Sequence, residues 1–293
     1  PPAPPPGALW LTVLDVGQGL SVVARTRQHA LLYDTGPGFT TEADSGNRII
    51  APFLRGEGIR RLDALVLSHD DVDHHGGTLS LLQAVPVGWM LSSLPPGQPL
   101  LAQVARAAPC HAGQGWEWDG VRFDILHPAM ESYANPRIRD NDRSCVLRIA
   151  TAGASVLLTG DIELRSEAEL LARSPGELRS TLLVAPHHGG KSSSGPAFVE
   201  AVAPRAVVFT AGYRNAFGHP RPEVVARYRE AGAALYRSDR HGAVIVRMDG
   251  APEVSLGGFR QLRPRYWQER SAPPEEDFTY PAVRDSAPAA TPV

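Results

Sequence analysis

The chain is almost without lysine. Of its 29 basic residues only Lys191 is not arginine, a bias that a GC-rich genome explains, and 31 acidic residues bring the formal net charge to −2. Such a balance excludes binding of nucleic acid through bulk charge, so any such site must be local. No apolar run reaches the ~18 residues that a membrane span needs. The start, Pro1-Pro2-Ala3-Pro4-Pro5-Pro6, has neither the basic nor the apolar region of a secretion signal and reads as a Pro-rich linker over residues 1–8. The two cysteines, Cys110 and Cys145, fit no metal-binding spacing. Cys145 lies in the apolar run 145–149 and reads as a core thiol. The sequence leaves their pairing open, and with it the redox compartment.

Against this background one stretch is crowded. Ser68-His69-Asp70-Asp71-Val72-Asp73-His74-His75-Gly76-Gly77 places three Asp and three His within seven residues. The apolar run Leu62 to Leu67 delivers it and reads as a buried strand. Gly76-Gly77 then turn the chain into a helical pattern from Leu79 to Leu82. The ligands therefore fall at the carboxyl end of a strand, where α/β proteins bind ligands. A lone Asp there would read as a helix cap. Carboxylates crowded this closely repel one another, and a bound cation removes the repulsion.

Other polar loops also follow apolar strands. Asp15-Val16-Gly17-Gln18-Gly19 separates two strands, and its glycines suit a tight turn. Asp34-Thr35-Gly36 ends the strand 30–33. Asn47 to Arg60 reads as a helix interrupted by Pro52. Asp140, Asn141, Asp142 and Ser144 form an Asx-rich segment that is either a turn or part of a metal shell. Thr159-Gly160-Asp161 ends a strand, as do Pro186-His187-His188-Gly189-Gly190-Lys191 and, further on, Asn215-Ala216-Phe217-Gly218-His219-Pro220. His127 before Pro128 reads as a turn residue or a site residue, and His111 carries a weaker signal. Residues 259–267, which include Arg263 and Arg265, interleave basic and aromatic side chains. Such a stretch either tracks phosphates and stacks bases or straps its aromatics onto the domain. From residue 271 to 293 the composition turns to Pro, Ala and acids, and reads as disorder.

The pattern His69-x-Asp71-x-Asp73-His74 resembles the metallo-β-lactamase superfamily signature His-x-His-x-Asp-His, with Asp at the second His position. A carboxylate there is a harder ligand and shifts preference from Zn²⁺ toward Mn²⁺ or Mg²⁺. With the following Gly-Gly, the variant is similar to the C-terminal domain of the ComEC family of bacterial DNA-uptake channels, as are the Asn/Asp/Ser segment, the His-His-Gly loop and the Gly-His-Pro turn.

The resemblance implies a single α/β domain, an αββα sandwich over residues 9–270, with two divalent ions (Mn²⁺ or Zn²⁺) at one edge. Their expected ligands are His69, Asp71, Asp73, His74, Asp161 and His187, the last chosen over His188 because it lies nearer the strand end. Asp161 would bridge the ions, and Asp34 would orient the loop from behind. Asp73, His188, Lys191 and His219 are the candidate catalytic residues. Asn141, Ser144, Asn215, Arg263 and Arg265 are candidates for substrate contact.

The implied activity is metal-dependent hydrolysis of DNA phosphodiesters, degrading the strand that is not imported. The substrate would be single-stranded DNA, and the partners the membrane and channel domains of a parent protein. The domain would face the periplasm while the parent sits in the bacterial inner membrane. Two other readings are a small-molecule phosphodiesterase similar to phosphocholine esterases, and a non-catalytic module that binds DNA or gates the channel.

Overall fold

The computed structural model describes residues 1–250 and 254–263. Among them, fifteen strands form two sheets. In chain order they are β1 (Leu9–Val13), β2 (Val22–Arg25), β3 (Ala30–Tyr33), β4 (Leu62–Leu67), β5 (Val87–Ser92), β6 (Ala107–Pro109), β7 (Gly115–Trp118), β8 (Val121–His127), β9 (Val146–Ala150), β10 (Ser155–Leu158), β11 (Leu182–Val184), β12 (Ala206–Phe209), β13 (Ala234–Arg237), β14 (Val244–Met248) and β15 (Ser255–Gly258). The first sheet runs β15-β14-β1-β2-β3-β4-β5-β6 and the second β13-β12-β11-β10-β9-β8-β7. Strands β3 to β6 are parallel, as are β10 to β13. Parallel neighbours bring their carboxyl ends to a common edge.

Alternation along each strand explains the layers, because successive side chains point to opposite faces. On β4, Ala64 and Val66 join the core between the sheets, while Leu65 and Leu67 join the core under the outer helices. On the second sheet Leu182 and Val184 face inward, and Leu183 faces the other helical layer. A strand buried on both faces is nearly continuous in apolar residues, which is why Leu62–Leu67 is apolar but for the partly exposed Asp63 near its start. Residues 46–56 and 78–84 cover the first sheet, and the helices Leu164–Arg173, Pro196–Val202 and Pro222–Glu230 cover the second. The expected αββα sandwich is the architecture observed.

Some local readings differ. Pro52 does not interrupt the helix at 46–56; it sits in the first turn of its α-helical part, where no backbone N–H is required. Gly76 and Gly77 do form the expected turn, between the short helix Val72–His75 and the helix Thr78–Ala84. Their lack of a side chain serves close approach: a Cβ at Gly76 would strike the backbone of Gly38, and one at Gly77 that of Thr35 and Gly46. The Pro-rich start lies against the domain, with Pro4 buried and Gly7 N–H donating to Asp119 O over 2.8 Å. Cys110 and Cys145 are joined in a disulfide with Cα atoms 6.0 Å apart. No helix among the described residues is long and apolar enough to cross a membrane. Arg265 and the segment 271–293 lie outside the described residues.

Candidate metal centre

Five strands of the two sheets supply the site from their carboxyl ends. Asp34 follows β3, Ser68 to His75 follow β4, Asp161 follows β10, His187 and His188 follow β11, and Thr210 follows β12. Asp34 is fully buried beneath the loop. Its Oδ1 accepts the Ser68 backbone N–H (2.6 Å), and its Oδ2 accepts both the Ser68 hydroxyl (2.7 Å) and His74 Nδ1–H (2.8 Å). Ser68 Oγ also lies 2.9 Å from His69 Nδ1, and His188 Nδ1 lies 3.0 Å from Thr210 Oγ1. Each of the three buried imidazoles is thus anchored through Nδ1 and turns Nε2 inward. That is the arrangement by which proteins fix the tautomer and direction of a metal-ligating histidine.

The inward atoms converge. His69, His74 and Asp161 form one group whose ligand atoms lie within 4.8 Å of one another, and Asp73, His74 and His188 form a second. His74 Nε2 is 3.1 Å from Asp161 Oδ1 and 3.3 Å from His188 Nε2. His188 Nε2 is 3.3 Å from Asp73 Oδ2 and 3.4 Å from Asp161 Oδ2. Asp161 Oδ1 is buried with no well-aligned hydrogen bond, its near neighbour being His74 Nε2 in an ion-pair contact. Divalent cations fit this donor set: facing imidazole nitrogens and a poorly satisfied carboxylate oxygen are costly to bury.

The electrostatics follow from this crowding. Burial pushes the Asp161 carboxyl up, but His188 and His74 outweigh it and hold the group well below the usual carboxylate range. Burial likewise raises Asp73, yet the hydrogen bond with His188 and the charge of His74 bring it to about 2. Burial pulls His188 down, but Asp161 and Asp73 raise it to about 9. His74 is also raised well above the ordinary imidazole value, by Asp161 and Asp34 against burial.

The expected residues divide. His69, Asp73, His74 and Asp161 come together as ligand groups. Asp71 stands at the margin, its side chain 48% exposed and its Oδ2 3.3 Å from His69 Nε2. His187 gives way to His188 inside the cluster. Both have left-handed backbone (φ 50° and φ 53°), so the chain does not continue the strand's alternation, and position nearest the strand end does not decide which ring points inward. His187 sits outside, 3.8 Å from Asp161 Oδ2, with Nδ1 3.2 Å from Ser192 Oγ.

Ser144 is buried, and its Oγ accepts Asp161 N–H over 3.0 Å, so it positions the carboxylate and offers no surface to a substrate. Asp142 is buried against Ser166, Asp140 pairs with Arg143, and Asn141 is half-buried outside both ligand groups. His127 is buried with Nδ1 3.0 Å from Ser144 O, outside both groups. His111, partly buried, has Nδ1 2.9 Å from Ala112 O.

Lys191, in the loop after His188, is exposed. His219 is half-buried; burial and then the nearby His188 and His187 lower its pKa to about 4, so it is neutral at pH 7. Asn215 uses its amide to hold its own loop, and Arg263 lies exposed with its guanidinium 5.9 Å from the Phe259 ring.

Sequence reading missed several supports. Thr210 orients His188 without any local signal. Ser68, adjacent to His69, ties Asp34 to the loop. Glu167 is buried on the helix 164–173, accepts the N–H groups of Ser194 and Gly195, and clamps the loop after His188. Burial raises its pKa to about 7 despite those bonds.

Known proteins share the sequence and the fold of this chain. The chain is 40% identical over 274 residues to Competence protein ComA of Neisseria gonorrhoeae, covering 92% of this chain and 36% of that protein. It is 34% identical over 234 residues to Recombination protein 2 of Haemophilus influenzae, covering 80% of this chain and 28% of that one. The chain therefore spans about a third of the length of the curated relatives it matches. Among solved structures, the diiron β-hydroxylase CmlA of Streptomyces venezuelae has the same fold, with a TM-score of 0.56 at 16% identity, covering 85% of this chain and 55% of that one. The sequence profile of the metallo-beta-lactamase superfamily matches residues 14–212, and the chain belongs to that superfamily, whose members are generally metal-dependent hydrolases.

Proposed function

We propose that this chain is the phosphodiesterase domain of a DNA-uptake protein and hydrolyses single-stranded DNA, degrading the strand that is not imported. The observation that carries the reading is the pair of ligand groups that meet at His74, beside the buried and poorly satisfied Asp161 Oδ1. One ion would be held by His69 and Asp161 and the other by Asp73 and His188, with His74, whose single free Nε2 lone pair can bind only one of them, completing either shell. Asp161 is placed to reach both, and Asp71 stands by the first. Carboxylate-rich sites of this kind suit Mn²⁺ at least as well as Zn²⁺. When bound, two such ions supply Lewis acidity to a phosphoryl group and lower the pKa of water.

The chain's own residues do the rest. Asp73 and Asp161 stay ionised at any working pH. Neutral His219 can donate a hydrogen bond to a phosphate or leaving-group oxygen without adding charge. Lys191, exposed three residues after His188, would offer a point charge to a phosphate if its side chain reaches the cluster. The names of the competence relatives support the DNA substrate and a larger parent protein. The Cys110–Cys145 disulfide supports an oxidising compartment such as the periplasm.

The test is cleavage of single-stranded DNA, duplex DNA and a phosphocholine ester by the chain loaded with Mn²⁺ or Zn²⁺, with Asp161→Ala as control. DNA cleavage that is lost together with metal in the variant is expected. Preference for the phosphocholine ester would make the chain a small-molecule phosphodiesterase. Metal binding without turnover of any of the three would make it a binding or gating module.

A further inference from the structure

A file of rings leads out of the metal centre. His219 lies with its ring centroid 6.3 Å from that of His188 and 5.6 Å from that of His187. Phe217 stacks on the outer side of His219, with centroids 5.7 Å apart and planes inclined by 27°. Phe217 is 59% exposed. A large apolar ring this open to water at the mouth of a polar site loses the benefit of burial, and its own loop gives no reason for it to stand there.

The loop is held rigidly. Gln18 Oε1 accepts the N–H of Gly212 (3.2 Å) at the loop's base. Asn215 clasps the rest: its Nδ2–H₂ donates to Gly212 O (3.0 Å) and His219 O (2.7 Å), and its Oδ1 accepts His219 N–H (2.9 Å). Phe217 is therefore presented on a fixed turn one residue pair away from His219. A planar group bound beside a phosphate at the cluster would meet its face.

We propose that Phe217 is a stacking platform for the unpaired nucleobase next to the phosphate under attack, and that it makes the site select single-stranded over duplex DNA. The proposal rests on the phosphodiesterase reading above. A base paired in a duplex already has both faces covered by its neighbours; one in a single strand can turn a face to an aromatic side chain, and such stacking is sequence-tolerant. Phe217 makes no contact with the ligand groups, so its effect is on substrate affinity, with the chemistry left to the cluster.

The experiment measures cleavage of a single-stranded oligonucleotide and of an otherwise identical strand carrying abasic sites, by the Mn²⁺-loaded chain and its Phe217→Ala, Phe217→Leu and Phe217→Trp variants. Thermal unfolding and metal content confirm that each variant is folded and loaded. On the normal strand Phe217→Ala and Phe217→Leu are expected to lower kcat/KM about ten-fold or more, mainly through KM, while Phe217→Trp keeps the parent value. On the abasic strand all four proteins should perform alike. Equal losses on both strands would overturn the proposal, because the ring would then serve only to shield His219. Unchanged rates in every variant would overturn it as well. If the parent cleaves neither strand but does cleave a phosphocholine ester, the DNA reading itself fails and the platform falls with it.

Discussion

His74 Nδ1 and Asp34 Oδ2 are 2.8 Å apart, both fully buried. The carboxylate can only accept, so Nδ1 keeps its proton, and it is Nε2, with its one lone pair, that a metal would take once the raised imidazole gives up its second proton. Asp34→Asn is therefore expected to weaken metal binding about 10- to 100-fold, as loss of a carboxylate behind a ligating histidine does. It should also destabilise the fold by about 1–3 kcal/mol, since the amide nitrogen cannot accept the Ser68 donor that the oxygen it replaces now holds. Competitive titration with a chelator measures the first and chemical unfolding the second. Parent-like affinity would show that His74 does not need this partner to bind metal.

The adjacent histidines separate two readings of one loop. His188 is buried in the cluster and anchored by Thr210, whereas His187 stands on the rim beside Glu163 and Ser192. His188→Ala should lose about one equivalent of bound metal together with activity. His187→Ala should keep full metal content. Elemental analysis of the two purified variants decides it, and the opposite pattern would return the ligand role to His187.

What the sequence could not carry is visible at the same place. Strand Leu62–Leu67 is legible residue for residue, because burial on both faces leaves it no polar side chain except Asp63 near its start. The crowding at 69–75 is legible because like charges at that density need a counterion. Which of His187 and His188 points inward depends on two left-handed backbone conformations that no side-chain pattern encodes. Thr210 is invisible because a threonine after a strand has many uses. Gly76-Gly77 was readable as special, but the reason is packing against Gly38 and Thr35, contacts between residues about 40 positions apart.

The raised imidazoles make a pH prediction. In the metal-free protein His188 titrates at about 9, above the ordinary value of about 6.5. Its contribution to stability is then complete below about 6.5 and is lost as pH rises through about 9. Metal must displace that proton, so apparent metal affinity should rise with pH over the same window. Unfolding of chelated and loaded protein between pH 6 and 10 tests both halves. The chelated protein is expected to weaken toward pH 9 and the loaded protein to change little. A chelated protein that gains stability from pH 6.5 to 9 would contradict the assignment.

The choice of metal turns on Asp71. Asp71 stands where the superfamily signature has histidine, with Oδ2 3.3 Å from His69 Nε2. Its carboxyl is held low, first by the hydrogen bond with His69, so it is ionised throughout the working range. An anionic oxygen at this margin favours a harder ion over Zn²⁺. The parent chain should therefore cleave DNA faster with Mn²⁺ than with Zn²⁺ at equal occupancy. Asp71→His should narrow or reverse that ratio, because imidazole is the softer ligand and removes one negative charge from the site. The half-exposed position of Asp71 means that the substitution can be accommodated without repacking the core, so a change in metal preference will not be confused with unfolding. Rates with each ion, normalised to bound metal, are the measurement. A parent that prefers Zn²⁺, or a variant whose preference does not move, would remove Asp71 from the determinants of metal choice and leave that role to Asp73 and Asp161.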